Sequence, residues 1–221
     1  MNTKGHRYPK SIILQAVYFK LRFTLSYRDV EEIMKIRGVI VDHATIQRWV
    51  YKFAPFIESE MKKRKVKVGV SWRLDETYIK VKGIWCYLYR AVDKLGNTVD
   101  FLLTKKRQRM SAQSFLIKAI STNGTPRVIN IDKSGSNTAA IKVYNRRSFS
   151  KIKIRQCKYL NNIVEQDHRF IKWRIQNGLG FKSFESAKRT LSGIEVVHML
   201  RKNQMVNPGK TMFESFCKLA G

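Results

Sequence analysis

The chain of 221 residues carries 44 lysines and arginines against 16 acids, a formal charge of +28, with 43% hydrophobic residues. That much apolar content supports a packed core and excludes a disordered polyelectrolyte. No apolar run approaches the roughly eighteen residues of a membrane-spanning helix. So high a charge repels itself unless a polyanion neutralises it, which makes nucleic acid the leading partner and an anionic membrane surface the weaker one. Cys86, Cys157 and Cys217 are odd in number and form no CxxC pair, which suits a reducing cytoplasm and argues against a disulfide framework or structural zinc. His6, His43, His168 and His198 are too scattered for a zinc motif, and MNTKGHRYPK has a basic start but no apolar stretch of a signal peptide.

The first sixty residues read as three helices. Pro9 opens the first, to about Phe23, with Ile13, Val17 and Leu21 at helical spacing. Ser26 is the expected N-cap of the second, with Asp29 three residues on and Gly38 ending it. Asp42 caps the third, HATIQRWVYKF, which is expected to stop near Pro55. Its inward face holds Ile46, Trp49, Val50 and Phe53; its outward face holds Ala44, Gln47, Arg48, Tyr51 and Lys52. Helix, glycine turn, helix is the outline of a helix-turn-helix, whose second member would lie in the major groove. Gln47 and Arg48 have the chemistry to read adenine and guanine edges. A plain helical bundle with a solvated polar face fits the same pattern. The run MKKRKVKVG, 61–69, is basic without an acid and reads as a linker, so the domains are expected to span 1–60 and 70–221.

From residue 70 the period changes to that of strands. VSWRLDETYIKVKG, IWCYLYRAVD and NTVDFLLTKK form a three-stranded meander, turning at Lys82-Gly83 and Lys94-Leu95-Gly96. Ser111 is the expected cap of the helix AQSFLIKAIST. PRVINID is a short apolar strand, SGSNTAAIKVYNR a loop and helix, KIKIRQC a strand and NNIVEQDHRFIKWRIQ a long helix. A last helix runs from about Ser183 to Gln204. The order β-β-β-α-β-α-β-α-α is that of an α/β RNase H-like fold, the retroviral integrase type of catalytic core, with a mixed sheet.

Three acids stand out in this basic chain. Asp75 shares its strand parity with Ser71, Arg73 and Thr77, and Glu76 shares its parity with Trp72, Leu74 and Tyr78. Asp75 is therefore the better candidate for a polar cleft, although a salt bridge to a neighbouring Arg or Lys would also use it, and a structural role is expected of Glu76. Asp132 sits where a buried strand ends, the usual place for a site in an open α/β sheet, although a turn or cap would also use an aspartate there. Glu165 lies on the long helix, whose apolar stripe is Leu160, Val164, Ile171 and Ile175. His168, Arg169, Lys172 and Gln176 share its polar stripe, a pattern that an intrahelical ion-pair ladder also produces. Two aspartates and a glutamate suit two hard cations, which can activate the attacking oxygen and stabilise the leaving oxygen of a phosphodiester.

The stretches SYRDVEEIM, VDHATIQRWVYKFAP, DETYIKVKGIWCYLYRAVDKLGNTVDFLLT, KYLNNIVEQDHRFIK and GFKSFESAKRTLSGIEVVHMLRK resemble the DDE transposases of bacterial insertion sequences, specifically the insertion-sequence-six family. The resemblance covers about Tyr8 to Gln204. It implies an N-terminal helix-turn-helix that binds terminal inverted repeats, and a catalytic core that transposes DNA replicatively through cointegrates. It places the catalytic, metal-binding triad at Asp75, Asp132 and Glu165, with magnesium or manganese, two ions, as cofactor. It matches Lys172 to the basic residue that commonly follows the catalytic glutamate and would contact DNA near the scissile phosphate; Arg169 on the same stripe, and Gln47, Arg48, Tyr51 and Lys52 on the outward face of the third helix, are the further residues expected on DNA. The implied partners are double-stranded DNA, both inverted repeats and target, and further copies of the chain, a homodimer or higher, with no membrane. The implied location is the bacterial cytoplasm, on the nucleoid.

The sequence departs from the family at two places. Ser134-Gly135 stands where Ala-Pro is common, and the 32 residues between Asp132 and Glu165 are slightly fewer than usual. The alternative to an active enzyme is a decayed copy that only binds DNA; a metal-dependent nuclease without strand transfer is a third. The cluster Lys105–Arg109 is open between a DNA grip and a solvated loop.

Overall fold

The computed structural model describes residues 7–132, 135–176 and 180–221. Its elements are α1 (Lys10–Arg22), α2 (Tyr27–Ile36), α3 (His43–Lys63), β1 (Ser71–Val81), β2 (Ile84–Asp93), β3 (Thr98–Thr104), α4 (Arg109–Asn123), β4 (Val128–Ile131), α5 (Gly135–Arg147), β5 (Lys153–Gln156), α6 (Asn162–Gln176), α7 (Phe184–Arg201) and α8 (Met212–Leu219). They fall into two compact units, Lys67–Lys172 and the remainder of the chain on either side of it. No helix among the described residues is long and apolar enough to cross a membrane.

The helical unit contains α1, α2, α3, α7 and α8. Its N-termini are fixed by side chains the sequence supplies. The Asp29 amide donates to Ser26 Oγ at 3.0 Å and the Ser26 amide to Asp29 Oδ2 at 2.6 Å, a closed capping box. The Thr45 amide donates to Asp42 Oδ1 at 2.9 Å. A Ser183–Ser186 box does the same for α7.

Three expectations are corrected here. Helix α3 does not stop at Pro55 but runs on to Lys63. An interior proline costs about 3 kcal/mol, but Ile57 and Met61, both fully buried, contribute about 1.5–3 kcal/mol each by leaving water. That burial offsets the lost hydrogen bond. The C-terminal helices, expected with the catalytic core, pack instead with α1 and α3, because α7 is buried along most of its length and needs apolar neighbours on several sides. The linker expected at 61–69 is partly the last turn of α3, and Lys65 bridges Met205. Helix α8 was not anticipated at all.

At Gly193, α7 packs tightly against α1 and α3. A Cβ there would lie 2.6 Å from both Leu21 Cδ atoms and 3.0 Å from Ala54 Cβ. Leu21 and Ala54 are themselves fully buried, so neither can move into free space.

The α/β unit is a five-stranded sheet in the order β3-β2-β1-β4-β5. β1, β2 and β3 are antiparallel, while β4 lies parallel to both β1 and β5. One face of the sheet buries Trp72, Leu74, Tyr89, Ala91, Ile129 and Ile131 against Phe115 and Leu116 of α4 and Ile141 of α5. Helix α6 covers the other face. Helix α4 begins at Arg109 with Gln108 as its N-cap, three residues earlier than the Ser111 cap expected; the Ser111 hydroxyl donates instead to the Lys106 carbonyl at 2.8 Å. The β2–β3 turn is organised by Asp93, whose carboxylate accepts from the Gly69, Leu95 and Asn97 amides at 3.0, 2.8 and 3.0 Å.

Gly193→Val is expected to lower stability by about 2 kcal/mol through overpacking, read as a drop in the urea midpoint with unchanged slope. A midpoint equal to that of the parent would show that α7 is not held at this distance.

Candidate active site and nucleic-acid interface

The sheet face under α6 is polar, and strand alternation explains why. Trp72 and Leu74 point to the α4 side, so Arg73, Asp75 and Thr77 point to the α6 side. Asp75 is paired in register with Arg90 of β2. The β1–β4 ladder ends at Arg73 and Asn130. Two positions beyond that last pair stand Asp75 on β1 and Asp132 where the chain leaves β4. Both aspartates thus lie two residues past the last pair of a ladder whose strands run about 4.8 Å apart. Asp75 is 18% exposed and Asp132 is half-buried.

Helix α6 meets this face through charges. Arg90, with no exposed surface, reaches Asp167 Oδ2 at 2.7 Å. One residue on, His168 Nε2 lies 3.3 Å from Asp75 Oδ2. Val164 and Ile171 are buried on the same side of the helix. Burial holds the His168 imidazole below its ordinary pKa, while the Asp75 carboxylate pulls it back up. Near α6 the Asn130 amide donates to Asn161 Oδ1 at 2.6 Å and to the Cys157 carbonyl at 3.0 Å.

These contacts revise the sequence reading of α6. His168, expected on the solvent stripe, is buried beneath the helix, and Asp167, not singled out, anchors it. Glu165 is exposed, Arg169 is exposed and Lys172 is half-buried. Gln176 belongs to the residues whose side chains lie outside the description, as do Lys133 and Ser134, where the sequence departs from its family. Among the described residues no three His, Cys, Asp or Glu side chains stand close enough to hold a metal ion together. The donor set is nonetheless all carboxylate oxygen, the chemistry that a hard divalent cation takes.

Glu76 does what its parity implied. It is buried, receives a hydrogen bond from Asn137 Nδ2 at 3.0 Å, and pairs with Arg107. Burial pushes its carboxyl pKa up, and Asn137 and Arg107 oppose the rise.

In the helical unit, α3 presents Arg48 and Lys52 to solvent, while Gln47 and Tyr51 are half-buried. Gln47 and Tyr51 line a cleft of about 450 Å³ with Tyr27, Arg28, His43 and Lys182. Burial pushes the Tyr27 hydroxyl pKa up, and Tyr51 and Thr190 are its hydrogen-bonding neighbours. On its other side α3 forms a groove with α7, where Arg48 and Lys52 face Lys188 and Arg189. The bulk charge signalled a basic surface; that α7 shares it was not legible, because the two helices are separated by more than a hundred residues of sequence.

A mixed sheet of this order, with helices on both faces, a carboxylate midway along its central strand and another just past the end of the strand beside it, defines an RNase H-like catalytic core. Residues 69–204 match a family model described as a DDE domain, of the IS240 transposase type. The chain is 43% identical over 197 residues to a Staphylococcus aureus transposase for insertion sequence-like element IS431mec, covering 89% of this chain and 87% of that protein. It is equally similar, with the same coverage, to the S. aureus transposase for insertion sequence element IS257 in transposon Tn4003. Among solved structures, the HTLV-2 integrase catalytic core domain in complex with magnesium superposes with a TM-score of 0.48 at 17% identity, over 72% of this chain and 100% of that one. The chain belongs to the DDE transposases of bacterial insertion sequences, in the insertion-sequence-six family. Its reaction class is DNA cleavage and strand transfer.

Asp167→Asn is expected to destabilise the fold by about 3 kcal/mol, because it leaves the Arg90 cation buried without its counter-charge. The double variant Arg90→Met with Asp167→Leu removes both charges and should recover most of that loss in a urea titration. Equal destabilisation of the single and double variants would show that the pair is not what holds α6.

Proposed function

We propose that this transposase binds the terminal inverted repeats of its element through the helical unit and cuts them at Asp75, Asp132 and Glu165. The observation that carries the assignment is the register. Asp75 and Asp132 each stand two residues past the last β1–β4 pair, and the helix that carries Glu165 meets the sheet at Arg90 and Asp75. Divalent cations held by these three carboxylates, two of magnesium or manganese, supply Lewis-acid activation of the attacking oxygen and charge neutralisation at the leaving one.

The chain's own residues do the rest. His168 fixes the Asp75 side chain from beneath the helix, so one carboxylate oxygen is oriented before any ligand arrives. Glu165, three residues earlier on the same helix and exposed, closes the donor set by turning toward the two aspartates. Lys172 and Arg169 continue its line and take the phosphates on either side of the cut. Water adds to the phosphorus at the element end as the bond to the 3′ oxygen breaks, leaving a 3′-hydroxyl. That hydroxyl then attacks a target phosphodiester in line, displacing a second 3′ oxygen. No side chain becomes covalently attached to DNA.

Arg48 and Gln47 read base edges from α3, and Tyr51 and Lys52 hold the backbone. Bridging two element ends takes at least two copies of the chain, and the setting is the bacterial nucleoid.

Asp75→Asn, Asp132→Asn and Glu165→Gln should each keep repeat binding and abolish magnesium-dependent cleavage and strand transfer on a DNA carrying the element's ends. Cleavage that persists in any one of them removes that residue from the site. Tight repeat binding by the parent with no cleavage in magnesium or manganese would assign the chain to the decayed, DNA-binding class. Arg48→Ala should weaken repeat binding by about 1–3 kcal/mol and nonspecific binding much less. An equal loss on both sequences would make Arg48 a phosphate contact.

A further inference from the structure

The β1–β2 hairpin runs past the end of β4. The ladder between β1 and β4 stops at Arg73, while β1 pairs with β2 as far as Val81 and Ile84. The tip is closed by Lys82 and Gly83, both at positive φ (47° and 80°), the tight two-residue turn that matches strand twist. The projecting arm is therefore rigid, and it begins at the level of Asp75.

One face of this arm is aromatic and exposed. Tyr78 is paired with Tyr87 and Lys80 with Trp85, so all four side chains share a face. The Tyr78 ring lies 5.3 Å from Tyr87 and 6.2 Å from Trp85, and Lys80 Nζ lies 5.6 Å from the Trp85 ring. Trp85 is 55% exposed and Tyr78 47%. Cross-strand aromatic pairing explains why the rings touch each other. It does not explain why their outer faces remain in water.

Cations frame the rings. β3 ends beside Tyr87, at Thr104, and Lys105, Lys106 and Arg107 follow directly, all exposed. Arg107 is held by Glu76, and its electrostatic neighbours include both Tyr78 and Asp132. It is thus anchored on the aromatic side of the sheet and still feels the charge of Asp132. Stacking rings beside a track of cations is the composition of a single-strand site: the rings take bases of any sequence and the cations take phosphates. A duplex offers no base faces to such a surface, because its bases are stacked on one another.

We propose that Tyr78, Trp85 and Tyr87 stack the unpaired bases of a DNA strand at the element end, with Lys80, Lys105 and Arg107 on its phosphates. This rests on the reading of Asp75 and Asp132 as the cutting site only for where the strand comes from. Opening a few base pairs costs a few kcal/mol, and stacking on protein rings offsets it.

The test uses the full-length Asp75→Asn protein without metal, so it does not depend on cleavage. Binding of a 16-nucleotide oligo-dT is measured by anisotropy beside a blunt duplex of the inverted repeat. Trp85→Ala and Tyr78→Ala should each weaken oligo-dT binding about tenfold and change duplex affinity less than twofold. Trp85→Phe, which keeps a ring, should restore most of the loss. Oligo-dT affinity unchanged in both alanine variants overturns the proposal, as does an equal loss on duplex. Self-association of the parent that the variants abolish, with single-strand binding intact, would make the face a contact between copies instead. Cleavage assays of Asp75→Asn and Asp132→Asn report on the cutting site separately, so failure there leaves the stacking result readable.

Discussion

The ion pair between Arg90 and Asp167 is the constraint on which the catalytic unit turns. A fully buried guanidinium is intolerable without a counter-charge, so the helix bearing Asp167 can dock on the sheet in only one rotation and at one height. That docking brings His168 against Asp75 and leaves Glu165, two residues before Asp167, on the outer flank. Hydrophobic contacts from Val164 and Ile171 supply adhesion but little register, since apolar surfaces slide past one another at small cost. The buried pair contributes specificity rather than net stability.

The same logic accounts for the few acids in so basic a chain. Asp29 and Asp42 cap helices, Asp93 closes a turn, and Asp100, Glu76 and Asp167 neutralise Lys118, Arg107 and Arg90. Glu58, Glu60 and Glu185 pair with neighbours on their own helices. Cations outnumber acids nearly three to one, and most of them are exposed. Their repulsion is tolerable only because water and salt screen it, and DNA relieves it further by exchanging condensed counterions for protein cations. The surface charge is thus a binding property that the fold endures.

Local signals were legible where the determining partner lies within a few residues. The caps at Ser26 and Asp42, the start of α7 near Ser183, the Lys82-Gly83 turn and the alternation that separates Asp75 from Glu76 all depend on backbone geometry over a single turn or strand. Pro55 misled because a local cost was outweighed by burial against a helix more than a hundred residues away. Asp167 escaped notice because an acid between apolar residues looks like a surface position until its partner is known. The clue was present: Arg90 breaks the apolar strand IWCYLYRAVD as Asp167 breaks the stripe of α6, and opposite charges that each spoil a buried pattern belong together.

The amino-acid sequence by itself determined the element order as far as α7, the polar side of β1, the expectation of a polyanion partner and, through its long collinear resemblance, the family. These follow from periodicity, charge and motif, which are properties of the chain. Tertiary structure alone decided that α7 and α8 join the N-terminal helices, that His168 turns inward against Asp75, and that the strand before Asp132 pairs with β1. Each of those is a statement about which distant surfaces meet. Such meetings are chosen by the summed burial and charge pairing of the whole fold, a quantity that no local stretch of sequence contains.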